Sequence, residues 1–217
     1  MPQAVIFDMD GVLLDSEQLW NQAKREFVEA SGGHWRDDAP TVMIGMSSPE
    51  WSRYIRDELG VDMDAADINR AVVQRMEQLY TEHLPLFPGA AEVVRTLHRR
   101  WPLALASSAN REIIDFALDE AGLAGEFSAT VSSEEVPRGK PAPDVYLEAA
   151  SRLDVSPARC VAIEDSSNGL RSAAAAGMAV IAVPNEHYPP SGDALALASA
   201  VVHSLPEITP ELVERLR

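Results

Sequence analysis

Three short apolar runs in this sequence stop at polar residues able to do chemistry. Ala4-Val5-Ile6-Phe7 runs into Asp8-Met9-Asp10-Gly11, residues 103–106 into Ser107-Ser108, and residues 161–163 into Glu164-Asp165. Apolar runs of this length bounded by turn residues read as buried strands. In an open parallel sheet the ligand crevice lies beyond the carboxyl ends of the strands. Side chains far apart in sequence would therefore meet at one edge. Lys140, in Gly139-Lys140-Pro141 just ahead of a helical pattern, is placed to reach the same edge.

Asp8, Asp10, Glu164 and Asp165 gathered there would repel one another. Two like charges about 4 Å apart cost roughly 4 kcal/mol at an effective dielectric near 20. A hard divalent cation with oxygen ligands relieves that repulsion. Magnesium takes one or two carboxylates, waters and a substrate phosphate, and Lys140 adds a further positive charge. The set thus implies a metal and an anionic ligand such as phosphate. Each piece alone has a plainer meaning. Acids after a strand are commonly solvated turn residues, a serine there is commonly an N-cap, and a lysine before proline is commonly just exposed. Their coincidence at successive strand ends points to a site.

The elements that must hold these residues follow from periodicity. Residues 15–82 read as helical with loops. Asp15 with Gln18 fits a capping box, followed by Trp20, Ala23, Phe27 and Val28 at helical spacing. Ser48-Pro49 places an N-cap before a first-turn proline, with Trp51, Tyr54, Ile55 and Leu59 on one face and Gly60 closing it. Ile68, Val72, Val73, Met76 and Leu79 form another apolar stripe. After Pro88-Gly89, strands and helices alternate: helices over 90–99, 111–121, 144–153 and 169–176, and strands over 103–106, 129–131, 161–163, 179–183 and 200–202. Such alternation predicts a parallel α/β sheet covered on both faces, with the helical segment inserted after the first strand.

The chain has 217 residues, 46% hydrophobic and 24% charged, and a formal net charge of −16. It is long enough for one core plus a smaller insertion. The negative charge and the lack of a basic run argue against nucleic acid and anionic membrane as partners. The single cysteine, Cys160, lies in an apolar run and reads as a core residue. Val5-Ile6-Phe7 is only strand length, so neither a signal peptide nor a membrane span is expected, and a cytoplasmic monomer is the default. His34, His83, His98, His187 and His203 show no metal-ligand spacing.

These motifs resemble those of the haloacid dehalogenase-like superfamily, in its phosphatase and phosphomutase branch. Asp8-Met9-Asp10-Gly11-Val12-Leu13 is similar to the first motif, Ser107 to the second, Lys140 to the third, and Glu164-Asp165-Ser166 with Gly169 to the fourth. The resemblance covers essentially the whole chain. It implies a Rossmann-like core, 1–14 and 84–217, and a helical cap, 15–83, hinged near Asp15 and Pro85. It also implies roles. Asp8 is the nucleophile that forms an aspartyl phosphate, and Asp10 is the general acid and base. Magnesium is held by Asp8, Asp165, the main-chain carbonyl of Asp10 and, directly or through water, Glu164. Ser107, the amide of Ser108 and Lys140 bind the phosphoryl oxygens. Dehalogenase members lack an aspartate at the place of Asp10, which argues against carbon–halogen hydrolysis.

The cap resembles that of beta-phosphoglucomutase and its sugar-phosphate phosphatase relatives. The mutase has a histidine where this chain has Trp20. It has an arginine after a Gly-x-Ser segment where this chain has Ser48, following Gly45-Met46-Ser47. Both departures disfavour a mutase, and a phosphatase acting on small sugar or sugar-alcohol phosphates is expected. Glu17, Trp20, Met46 and Ser47 are the cap candidates for substrate contact. For Trp20, an apolar wall against substrate and simple cap packing stand equal. Lys24, the one lysine in the cap, lies near the place of a Schiff-base lysine in the family's phosphonatases, but its surroundings do not match. A signalling receiver domain would be about half this length with no insertion. A binding protein of the same fold would be expected to lack Asp8 or Asp10.

Overall fold

The computed structural model describes residues 1–44, 46–185 and 188–216. Among the described residues the strands are β1 (Ala4–Phe7), β2 (Leu103–Ser107), β3 (Ala129–Ser132), β4 (Cys160–Glu164), β5 (Ala179–Ala182) and β6 (Ala200–Val201). They form one sheet in the order β3-β2-β1-β4-β5-β6, with every pair parallel. The chain winds outward from β1 to β3, then restarts on the other side of β1 with β4. The reversal of strand order between β1 and β4 is where such sheets open a crevice. Pairing of Phe7 with Ile163 sets Asp8 beside Glu164 at that crevice.

Alternation along the strands divides the core into two faces. Ala4, Ile6, Ala104, Ala106 and Ala162 point to one face, against α7 (Asp144–Arg152) and α8 (Ser167–Ala175). Alanine at so many of these positions lets the helices sit close. Val5, Phe7, Leu103 and Leu105 point to the other face, which α5 (Ala90–His98) and α6 (Arg111–Glu120) cover. Burying a side chain of Phe7's kind contributes roughly 1.5–3 kcal/mol.

The inserted segment is helical, as expected: α1 (Glu17–Ala30), α2 (Ala39–Met43), α3 (Ser48–Asp57) and α4 (Ala65–Glu82). All five residues of the α4 stripe are buried. Two crossings join the segment to the sheet. The Asp15 amide donates to the Pro85 carbonyl at 2.8 Å and the Phe87 amide to the Leu13 carbonyl at 2.9 Å. No helix among the described residues is long and apolar enough to cross a membrane.

Several local expectations are corrected. The capping box at Asp15 and Gln18 does not form. Ser16 is the N-cap of α1, without a side-chain cap bond, because its hydroxyl is turned to Asp10. At α3 the N-cap is Ser47, not Ser48, and Ser47 makes a capping box with Glu50. The last strand ends at Val201. Two short helices, α9 (Gly192–Leu195) and α10 (Pro210–Arg215), lie where no element was expected. Cys160 is buried as expected. His34, His83, His98 and His203 are all exposed; Gly45 and His187 lie outside the described residues.

Candidate functional site

At the switch between β1 and β4, carboxylate oxygens of Asp8, Glu164 and Asp165 come within 4.8 Å of one another, all three residues buried. Lys140 reaches in from the loop ahead of α7. Its Nζ lies 2.9 Å from Asp8 Oδ1 and 2.5 Å from Glu164 Oε1. Two strand ends and one loop, separated by up to 157 residues from Asp8 to Asp165 (165 − 8), therefore meet at one place.

Glu164 is held on both oxygens. Lys140 and the Tyr146 hydroxyl (2.8 Å) donate to Oε1. The amides of Asp165 (3.0 Å) and Ser166 (3.3 Å), with the Ser166 hydroxyl (3.2 Å), donate to Oε2. Those amides open α8, whose N-terminal dipole favours negative charge. Two glycines make room. A Cβ on Gly169 would coincide with the Glu164 carboxylate, and one on Gly11 with that of Asp165. Gly11 also has φ +79°, a conformation that L side chains rarely adopt.

The electrostatics express crowding. Burial first, then Glu164, pushes the Asp8 carboxyl up to about 8 against the pull of Lys140. Burial, then Glu164 and Asp8, raises Asp165 well above the carboxylate range. Burial by itself would lower Lys140, but Asp8 and Glu164 outweigh it and hold the ammonium above its usual value. One lysine does not balance three buried carboxylates. An oxygen-lined, under-neutralised pocket of this kind fits a hard divalent cation. Asp8 and Asp165 are suited to hold it, with Glu164 fixing Lys140 beside them.

Asp10 points away from this cluster. Its Oδ1 accepts from the Ser16 hydroxyl and from Trp20 Nε1 at 3.1 Å. Burial raises its pKa, and the two hydrogen bonds partly offset the rise. Both donors sit at the start of α1, so the inserted segment itself orients Asp10.

Ser107 closes β2, fully buried, with Oγ accepting from the Ala109 amide at 3.0 Å. Ser108 lies on the wall of the adjoining cavity. The Ser133 hydroxyl donates to the Ser108 carbonyl at 3.0 Å and fixes that loop.

The cavity, about 550 Å³, opens between the strand ends and the helical segment. Of the residues expected from the sequence, Asp8, Asp10, Lys140, Asp165, Ser108, Glu17, Trp20 and Met46 line it. Ser107, Glu164 and Ser47 do not. Ser47 is occupied with Glu50 at 2.6 Å, and Ser48 lines the wall instead. Trp20 lines the cavity and also packs against Trp51, with ring centroids 6.3 Å apart. Its bond to Asp10 belongs to neither reading. The sequence reading also missed Lys24 as a wall residue, along with Asn185 and Tyr188, which come from a loop without periodicity. For Lys24 a signal existed. It lies seven residues after Glu17 and four after Trp20, on one face of α1.

Comparison with known proteins gives a consistent picture. The sequence pattern of the haloacid dehalogenase-like hydrolases matches residues 2–177. Hexitol phosphatase B of Escherichia coli (strain K12) is 35% identical over 212 residues, 95% of this chain and 94% of that protein. The crystal structure of CbbY from Rhodobacter sphaeroides in complex with phosphate is 31% identical, with a TM-score of 0.84, covering 95% of this chain and 96% of that one. A mutant of that CbbY in complex with xylulose-(1,5)bisphosphate is 30% identical with the same TM-score and coverage.

Proposed function

The chain belongs to the haloacid dehalogenase-like hydrolase family, and from that premise we propose that it is a magnesium-dependent phosphatase of small sugar or sugar-alcohol phosphates, acting through an aspartyl phosphate on Asp8. Hydrolysis of phosphoric monoesters is the activity its named phosphatase relatives share. The observation that carries the mechanism is the buried set of Asp8, Glu164 and Asp165 around Lys140, with Asp10 held apart from it.

In the first step an Asp8 oxygen attacks phosphorus, the bond to the ester oxygen breaks, and that oxygen takes a proton from Asp10. In the second step Asp10 accepts a proton from water as the water oxygen attacks phosphorus. The bond to Asp8 breaks, releasing inorganic phosphate and restoring both aspartates. Ser16 and Trp20 occupy Asp10 Oδ1 and so leave Oδ2 to carry the proton. Lys140 and the Ser108 amide take the phosphoryl oxygens, and the Ser107 hydroxyl, just behind that wall, joins them when the ester is seated. Glu164 and Tyr146 fix the lysine. A magnesium ion on Asp8 and Asp165, with the Asp10 carbonyl, would supply the charge that keeps Asp8 ionised and neutralises the phosphoryl group.

The helical segment, 15–83, acts as a cap on the core formed by 1–14 and 84–217, with hinges at the Asp15–Pro85 crossing. The relatives' names span a hexitol phosphate and a sugar bisphosphate, which supports a small phosphorylated metabolite as substrate. A phosphomutase reading finds no support at Ser48, whose hydroxyl is bonded to Asn110. Phosphate release from a panel of sugar and polyol phosphates, with magnesium and with chelator, tests the proposal. Release that needs magnesium and is lost in Asp8→Asn supports it. Interconversion of hexose phosphate isomers without release would replace it with a mutase.

A further inference from the structure

The helical side of the cavity carries an ammonium group that the phosphoryl chemistry leaves unused. Lys24 and Lys140 are the two cations on the described wall. Lys140 is paired with Asp8 and Glu164. Among the described residues Lys24 has neither a carboxylate oxygen within 4.0 Å of Nζ nor a hydrogen-bond acceptor. It is nevertheless only 7% exposed. Its neighbours are two indoles, Trp20 and Trp51, with Nζ 5.3 Å from each ring centroid.

Such a placement is costly. The ammonium has lost most of its water, and cation–π contact with the two rings returns less than the desolvation of an ion takes away. Packing does not require it, because methionine would fill the same gap between the two indoles. Glu17 also faces the cavity, two turns earlier on the same face of α1, roughly 10 Å along the axis. Burial draws the Lys24 ammonium down to about 8 against the pull of Glu17 and Asp10. The group is an unpaired, desolvated donor on the substrate's side of the site.

We propose that Lys24 is the residue that selects the substrate: the preferred ester carries, at the end remote from the transferred phosphoryl group, an anionic oxygen group, either a carboxylate or a second phosphate, that pairs with the Lys24 ammonium. The inference rests on the phosphatase reading above. An anion there completes the site, since charge-assisted hydrogen bonds are about twice as strong as neutral ones and the flanking indoles keep water away.

Six-carbon esters that differ only at the far end separate the sources. Glucitol 6-phosphate ends in a neutral hydroxymethyl group, 6-phosphogluconate in a carboxylate, and glucitol 1,6-bisphosphate in a second phosphate. Binding is measured by calorimetry on Asp8→Asn protein with magnesium, so no turnover is needed. We expect one of the two anionic esters to bind at least about ten-fold tighter than glucitol 6-phosphate. Lys24→Met in the same background should abolish that preference, and Lys24→Arg should keep most of it. The tighter of the two anionic esters identifies the group. Equal affinities, preference for the neutral ester, absence of binding, or a Lys24→Met loss shared equally by all three would overturn the inference. Absence of magnesium-dependent phosphate release by the parent enzyme would instead overturn the phosphatase reading, and the binding comparison would still stand.

Discussion

The indole nitrogen of Trp20 donates to Asp10 Oδ1 at 3.1 Å, so a residue of the inserted helical segment holds the acid at the end of β1. The Ser16 hydroxyl donates to the same oxygen. Trp20→Phe keeps an aromatic ring on the Trp51 side and removes the hydrogen bond together with part of the buried indole. Bonds to charged groups contribute about 1.5–3 kcal/mol, so kcat should fall roughly 10- to 100-fold, beside a loss of stability from the shrunken side chain. Steady-state kinetics on one good substrate checks this. An unchanged kcat would mean that Trp20 only packs.

Gly11 and Gly169 leave room for two carboxylates that the metal site needs. Gly169→Ala would drive a methyl group into Glu164, the partner of Lys140, and Gly11→Ala would drive one into Asp165. Overpacking costs about 1–3 kcal/mol, and Gly11 adds backbone strain through its positive φ. Both variants should lose activity, and Gly11→Ala should unfold at lower denaturant than Gly169→Ala. Two fully active variants would show that these carboxylates move freely.

Asn110 ties the core to the helical segment. It accepts from the Ser48 hydroxyl at 2.6 Å, donates to Asn69 Oδ1 at 3.2 Å and to Glu134 Oε1 at 2.7 Å, and is only 2% exposed. Ser48 and Asn69 belong to α3 and α4. Asn110→Ala leaves those partners unsatisfied, at about 1–3 kcal/mol. Hydrogen exchange in α3 should quicken and KM should rise. Unaltered exchange in α3 would rule out a latch.

Much of this site was legible because strand ends are legible. An apolar run followed by Asp8, Ser107 or Glu164 announces both an element and the edge it feeds, and parallel order brings those edges together. The helical insertion was equally plain, since stripes such as Ile68 to Leu79 repeat at helical spacing. What stayed hidden depends on which of two partners a polar side chain takes. Ser16 had a capping position and an aspartate within reach, and it took the aspartate. The choice between Ser47 and Ser48 as N-cap turned on one residue of phase, which also moved Ser48 onto the cavity wall. Tyr146, which secures Glu164, sits on a helix whose pattern shows only that the residue is buried.

The buried ammonium of Lys24 gives a pH signature of its own. Burial lowers its pKa from 10.5 to about 8. The unfolded chain therefore binds the extra proton between about pH 8 and 10.5, and stability contributed by this residue rises with pH across that window. Below it, the buried charge weighs fully against folding. Lys24→Met should be more stable than the parent near neutral pH, with an advantage that shrinks toward about pH 10. Urea unfolding of both proteins at the two pH values measures this. A stability gap independent of pH would contradict a depressed Lys24.

The claim that Asp8 carries the phosphoryl group is tested most directly by stereochemistry at phosphorus. A phosphorothioate analogue of the substrate, chiral at phosphorus through two oxygen isotopes, is hydrolysed in water carrying the third isotope, and the configuration of the released thiophosphate is read by NMR. Each in-line displacement inverts phosphorus. Two displacements through Asp8 predict net retention; net inversion would mean that water attacks the ester directly and that Asp8 is not the nucleophile.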